Sequence, residues 1–347
     1  MTTDDAAMKR DMAPRPVRIL GMLTGPGAFR LILAAAVFVS HVSRIGIGRP
    51  AVVLFFMLSG YWVTRLYQGW SASTWTFEAS RFLRIWPLLA VTAIVVWLVE
   101  MAGILPLHGN LLSTLGLLGL AVRQGDVIGV AWSLDLELQF YLLLPFCLWW
   151  INRRTDGRAT RAALLLAVLT VAGAIGMANG WLTALAFAPA FAGGVAIRLS
   201  DWRVSTRTAA ISVAVFVGIG VLLWLVPATR MMVIKGDVPW WLDLAYTAWC
   251  LTLLPYVAWN VHQPSPPIDR EMGNLSFPLY LVHFPLIVLA IRWAGDGLAG
   301  KALALVLALV ATAILYLFVD RPFERWRSGL WRRRRDTMVA EARDSPP

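Results

Sequence analysis

The chain has 347 residues, of which 59% are hydrophobic and only 15% charged, and its mean hydropathy is +0.66. That composition, laid out in apolar runs long enough to cross a bilayer, excludes a soluble globular core and puts the chain among polytopic helical membrane proteins. The formal net charge of +11 sits in the loops between the runs and in a basic C-terminal tail, a pattern of inside-positive topology and attraction to anionic membrane lipid rather than of nucleic-acid binding.

Residues 1–28 read as a polar cytoplasmic tail, with Asp4, Asp5, Lys9 and Arg10 and no cleavage site after an apolar run, so the first span is expected to be an uncleaved anchor. Ten spans follow from the apolar runs, at 29–45, 51–67, 84–104, 131–151, 161–178, 181–198, 208–226, 240–260, 274–293 and 301–319. The run at 111–122 is too short to cross and is expected to be re-entrant or interfacial. With the N-terminus inside, most of the 31 Lys and Arg residues fall on the inner side, which predicts that both termini are cytoplasmic. The expected organisation is all-α: one membrane domain over 29–322, followed by a basic cytoplasmic tail over 323–347. Cys147 and Cys250 both fall inside spans and pack as apolar residues. The four His, at 41, 108, 262 and 283, have no Cys or carboxylate neighbours at metal-ligand spacing, and no nucleotide-binding fingerprint is present.

The first span carries Arg30 and, eleven residues on, His41. At about 100° per residue that spacing brings both to within roughly 20° of one helix face, about 16 Å apart. An ionisable stripe in hydrocarbon points to a polar cavity or a substrate route, with snorkelling from the span ends as the structural alternative. The second span brings Ser59 and Gly60 to mid-membrane, where small residues make a packing notch or leave room for a ligand. On the fourth, Ser133, Glu137 and Tyr141 recur every four residues and share one stripe, while Asp135 points the opposite way. Glu137 is expected at the depth of His41, where a carboxylate would fix the His tautomer and support its protonated form. On the inner side Arg65, Arg81 and Arg84 either mark the topology or, with Arg30, form a basic vestibule suited to phosphate. The ninth span places Ser276, Tyr280 and His283 near its middle between Pro278 and Pro285, His283 being expected to line a cavity rather than act as a second base. Arg321 and Pro322 are expected to close the last helix.

Taken in order, these segments resemble acyltransferase family 3, bacterial inner-membrane enzymes that acylate sugars and related acceptors. The resemblance rests on Arg30 with His41, PhePheMetLeuSerGly at 55–60, ArgPheLeuArgIleTrpPro at 81–87, TrpSerLeu with Glu137 and PheTyr at 132–141, SerPheProLeuTyrLeuValHis at 276–283 and ArgPro at 321–322. It implies that Arg30 and His41 are essential and that acyl-coenzyme A is the donor. Arg81, Arg84, Ser59, Glu137 and Tyr141 take supporting positions. Asp320, Phe277 and Val282 depart from the residues more usual there, changes expected to touch packing or acceptor shape.

The expected activity is O-acyl transfer, most simply of acetyl, from cytoplasmic acyl-coenzyme A to a hydroxyl of an envelope or exported glycan. His41 would act as base or acyl carrier, Arg30, Arg65, Arg81 and Arg84 would hold the donor, and Ser59, Ser133, Tyr141, Tyr280 and His283 would line or support the site. No metal and no permanently bound cofactor is expected. The alternative is a sugar-lipid transporter or flippase, whose ionisable residues would form a substrate or proton path.

Overall fold

The computed structural model describes residues 24–70, 72–106, 109–123, 125–234 and 240–330. Residues 1–23 of the expected N-terminal tail, His108 and the basic run at 332–335 lie outside these residues, and residues 26–28, expected in that tail, begin the first helix. Among those described, the chain is helical, and two extended positions, Ile45 and Ile234, pair as an isolated bridge.

Chain order gives α1 (Pro26–Val42), α2 (Gly48–Gln68), α3 (Thr74–Met101), the short α4 (Leu111–Gly116) and α5 (Leu120–Arg123), α6 (Trp132–Asn152) and α7 (Arg158–Ala178). A 3-10 turn (Ala184–Phe187) leads into α8 (Ala188–Ser200), followed by α9 (Thr206–Leu225), α10 (Trp240–Leu251), α11 (Leu254–Asn260), α12 (Pro267–Ala294) and α13 (Leu298–Leu315). Among the described residues seven helices are long and apolar enough to cross a membrane: α2, α3, α6, α7, α9, α12 and α13 with its continuation to Leu330. The windows of α7 and α9 are only 6% and 11% buried. Their apolar side chains therefore face outward, as lipid-facing helices must.

Three differences from the expected elements have local causes. The third helix begins at Thr74, ten residues before the expected 84, because Ser73 caps it by accepting from Thr76 N–H. Arg81 and Arg84 therefore share its face one turn apart. The run 240–260 forms two helices, because Pro255 near the start of α11 has no N–H to give the preceding turn. Pro322 does not close the last helix. A π turn over Tyr316–Asp320 precedes it, absorbs the missing donor, and lets the helix run on to Leu330.

The run 111–122 forms two helical pieces of six and four residues, too short to cross, separated at Leu117 by a positive φ of 59°. The first packs on α3, where Trp86 Nε1 donates to the Leu115 carbonyl at 2.9 Å, and the second on α6, whose Asp135 accepts from Ala121 N–H at 2.9 Å and from Gln139 Nε2 at 2.9 Å. Asp135 thus does point away from the Glu137 stripe.

Two packings set the centre of the fold. α12 lies against both α1 and α13, and α2 lies against α8. At the second crossing a Cβ on Gly60 would stand 2.2 Å from the Phe191 carbonyl oxygen, and one on Gly194 1.9 Å from that of Met57. Only hydrogen fits at either place. The start of α1 is held from a distance: Asp269 accepts from Gly27 N–H at 3.0 Å and Ala28 N–H at 2.7 Å. A carboxylate at a helix N-terminus meets both the free donors and the positive end of the dipole.

Candidate active site

A cavity of about 330 Å³ opens between α1, α2, α3, α6 and α12. Arg30 of α1, Arg81 and Arg84 of α3, Ser59 of α2, and Ser133, Glu137 and Tyr141 of α6 all line it. Ser276, Phe277 and Tyr280 of α12 complete the polar and aromatic wall, with Val52, Phe55, Phe56 and Ile85 among the apolar lining. The stripe of Ser133, Glu137 and Tyr141 therefore faces one space, as its spacing predicts.

Of the two expected uses of the SerGly pair, the packing notch is seen. Gly60 fits the contact with α8, while Ser59 on the adjoining face donates to Glu137 Oε1 at 2.7 Å. Tyr141 donates a short hydrogen bond to the same oxygen. Arg30 lies within electrostatic reach of Glu137, Tyr141 and Arg84, so one carboxylate stands among the cations.

Arg84 is tied to Asp320 by an ion pair of 2.8 Å, with its guanidinium 5.4 Å from the Phe277 ring centre. Asp320 is almost fully buried and fixes one edge of the guanidinium, leaving the other donors for the cavity. Arg81 gives one donor to Ser80 Oγ at 3.3 Å, and its buried Nε has no hydrogen-bond partner among the described residues. Arg327 reaches the same Ser80 hydroxyl at 2.9 Å from the final helix and pairs with Glu324. Arg65 departs from the expected vestibule. It is exposed, does not line the cavity, and lies 5.3 Å over the Trp62 ring, which does.

His41 is not among the cavity-lining residues. Its ring lies 5.2 Å from that of His283 and 5.1 Å from that of Phe284. His283 lies 5.6 Å from Tyr280, whose hydroxyl meets Ser133 Oγ at 2.7 Å and the Val130 carbonyl at 3.1 Å. Ring contacts from Tyr280 through His283 thus connect the cavity wall to His41. Two expectations change here. Glu137 engages Ser59 and Tyr141, one turn along α6 from the Ser133–Tyr280 contact. His283 is wholly buried behind Tyr280 instead of lining the cavity.

The loop before α6 covers this end. Gly129, at a φ of 75°, lies so close to Phe284 that a Cβ would stand 2.5 Å from the ring. Asp126 in the same loop lies within electrostatic reach of Tyr280, and burial raises its carboxyl above the ordinary carboxylate range.

Asp320 and Asp269 do positioning work that their sequence context does not announce. Asp320 stands one residue before ArgPro, but its partner is 236 residues away. Asp269 is an acidic first-turn residue of its own helix, and also caps another helix about 240 residues earlier.

The profile of one family, described as an acyltransferase domain, matches residues 21–319. The chain belongs to this acyltransferase family. It is thus an acyltransferase acting on groups other than aminoacyl groups, and the matched region contains every cavity residue named above. No curated protein and no solved structure matches the chain.

Proposed function

We propose that the protein is an O-acyltransferase, most simply an O-acetyltransferase, moving the acyl group of cytoplasmic acyl-coenzyme A to a hydroxyl of an envelope or exported glycan. In this reading it spans a bacterial inner membrane ten times with both termini inside. α1, the 3-10 turn with α8, and the broken pair α10 and α11 supply the three spans beyond the seven long helices.

The observation that carries the reading is the convergence of Arg30, Arg81 and Arg84 on one cavity whose far wall leads to His41. Three guanidinium groups suit the phosphates of coenzyme A, since each offers a planar fork of donors. The apolar lining suits the pantetheine arm, which bridges the gap of about 16 Å between Arg30 and His41. A thioester brought past Tyr280 then meets the imidazole.

Two chemical routes fit. In the first, His41 takes the acceptor hydroxyl proton as the oxygen attacks the thioester carbon, the C–S bond breaks, and the sulfur leaves to be protonated as free thiol. In the second, His41 itself attacks, releases the thiol and passes the acyl group on. Both routes need the imidazole neutral, to take the proton as base in the first and to attack as nucleophile in the second.

Purified protein in nanodiscs, given labelled acetyl-coenzyme A and a glycan extract, tests the reading by thiol release and label transfer. Release that depends on the glycan supports it. Turnover of another acyl donor with none from acyl-coenzyme A would leave the family activity standing and remove this donor.

A further inference from the structure

We infer that the apolar groove between α6, α7 and α8 is a binding site for one anionic phospholipid of the inner leaflet. One acyl chain lies in the groove, and the headgroup phosphate meets the arginines of the loop that joins α6 to α7. The inference needs only the membrane topology proposed above and is independent of acyl transfer.

The groove has a volume of about 250 Å³, and its lining carries only aliphatic and aromatic side chains besides Cys147. It runs along α6 from Phe140 to Ile151, a length of about 16 Å. That is close to half of the roughly 30 Å hydrocarbon core, the depth that one leaflet supplies. At one end it reaches Ile151 and Leu199 in the last turns of α6 and α8, and Ala162 in the second turn of α7. Ala163, Ala196 and Leu199 are exposed, so the groove is open to lipid near this end, which the proposed topology makes cytoplasmic. At mid-membrane it is blind. Phe140 stacks on Phe191 there with ring centres 4.2 Å apart. Beyond them α7 meets the 3-10 turn so closely that a Cβ on Gly173 would stand 2.3 Å from the Leu185 carbonyl oxygen. Water finds no polar partner in such a lining, whereas a hydrocarbon chain fills it.

The open end is basic. Arg153, Arg154 and Arg158 are exposed there, against the single carboxylate of Asp156 in the same loop. Arg158 stands one turn before Ala162 on the same face of α7, and Arg153 and Arg154 follow Ile151 by two and three residues. Arg161 is used differently. Its Nε and Nη2 donate to the Ile151 carbonyl at 3.2 and 2.9 Å, which closes α6 and holds the loop beside the groove. The Arg153 guanidinium lies 3.6 Å from the centre of the Trp150 ring, and Trp with Arg at a helix end marks the headgroup level. Inside-positive topology accounts for basic loops in general. Here the charge stands at the mouth of a groove one leaflet deep, where guanidinium forks meet phosphate oxygens and favour an anionic over a zwitterionic headgroup.

The blind end touches the other cavity. Phe191 also stacks on Phe56, a lining residue of the candidate active site, with ring centres 4.7 Å apart. The lipid chain thus ends against the back of that site's wall.

The test uses the full-length protein, delipidated in detergent and titrated with phosphatidylglycerol or with phosphatidylcholine of the same chains. Native mass spectrometry counts the bound copies. One copy of phosphatidylglycerol is expected to bind about tenfold more tightly than phosphatidylcholine. Arg154→Gln combined with Arg158→Gln is expected to remove that preference, whereas Arg325→Gln, at an exposed position of the final helix, should keep it. Ala163→Phe combined with Ala196→Phe fills the groove from exposed positions. It is expected to weaken binding of that copy about tenfold, with the thermal midpoint of the lipid-free protein unchanged. Equal affinity of wild type for the two lipids overturns the inference, as does a preference that survives in the groove-filled protein. A wild-type dimer that takes up no lipid, and that the groove-filling pair turns into a monomer, overturns it too and makes the groove an interface between two copies. If either double variant fails to fold, wild type alone decides. Phosphatidylglycerol with a photoactivatable group at the end of one chain is expected to label α6, α7 and α8, and equal labelling of the lipid-facing α9 would overturn the inference.

Discussion

Ser59 on α2 donates its hydroxyl to Glu137 on α6 at 2.7 Å, across 78 residues of sequence. The bond joins the helix that packs on α8 to the helix that carries the polar stripe, and Tyr141 shares the same carboxylate oxygen. Three side chains of one network should not contribute independently. Ser59→Ala and Glu137→Ala are each expected to destabilise, and the double variant to lose less than their sum, with a coupling of about 1 kcal/mol. Unfolding midpoints in one detergent measure this. Strict additivity would place the two residues in separate environments.

Arg84 owes its orientation to Asp320. Asp320→Asn removes the charge beside a largely buried guanidinium and is expected to cost about 2 kcal/mol, between the values for exposed and buried pairs. Asp320→Glu, which keeps the charge, should remain near wild type. Arg84→Ala is expected to raise the KM for acetyl-coenzyme A about tenfold with a smaller change in kcat, as removal of uniform donor binding requires.

The α2 and α8 crossing admits no side chain at Gly60 or Gly194. Gly60→Ala should cost about 1–3 kcal/mol or prevent folding, because the obstructing atoms are backbone carbonyls that cannot step aside. Gly218→Ala on α9 is the control: nothing lies within 4 Å of its would-be Cβ, so it should be neutral or slightly stabilising. Thermal midpoints of the two variants distinguish close packing from a general aversion to alanine.

Much of the site is legible in the sequence because helical spacing alone gathers it. Ser133, Glu137 and Tyr141 recur at one-turn intervals and do face one cavity, which Arg30, Arg81 and Arg84 also line. What spacing cannot supply is which helix stands next to which. Glu137 and His41 look paired by depth, yet Ser59 and Tyr141 take the carboxylate and His283 takes the place beside His41. Asp269 and Asp320 read as ordinary polar ends of helices. Their partners are more than 230 residues away and follow from packing alone. The broken helix at Pro255 and the π turn before Pro322 show the same limit, since apolar length does not record where a missing N–H interrupts a helix.

The cap on α1 gives a further prediction. Asp269 bonds two N–H groups at the start of the helix that carries Arg30, so Asp269→Ala should cost about 1–2 kcal/mol and weaken donor binding together with stability. Asp269→Asn, with one acceptor oxygen left, should fall between. A variant that loses stability while its KM is unchanged would show that the cap does not govern Arg30.

Asp126 gives the pH dependence. Burial raises its carboxyl in the folded protein, so the folded state favours the protonated form. The stability this contributes is present below the ordinary carboxylate value near 4 and is lost as pH rises through the raised one. The midpoint of wild type relative to Asp126→Asn should therefore fall as pH is taken from about 4 to 7. A difference that stays constant, or rises, would contradict the buried placement of this loop.

The most direct measurement compares wild type with His41→Ala at saturating acetyl-coenzyme A, following thiol release and label transfer in the same samples. The account predicts that His41→Ala binds the donor through Arg30, Arg81 and Arg84 with near wild-type affinity and yet turns it over at least about 100-fold more slowly. Equal turnover by the two proteins would contradict it, because the cavity would then lead to a different reacting group.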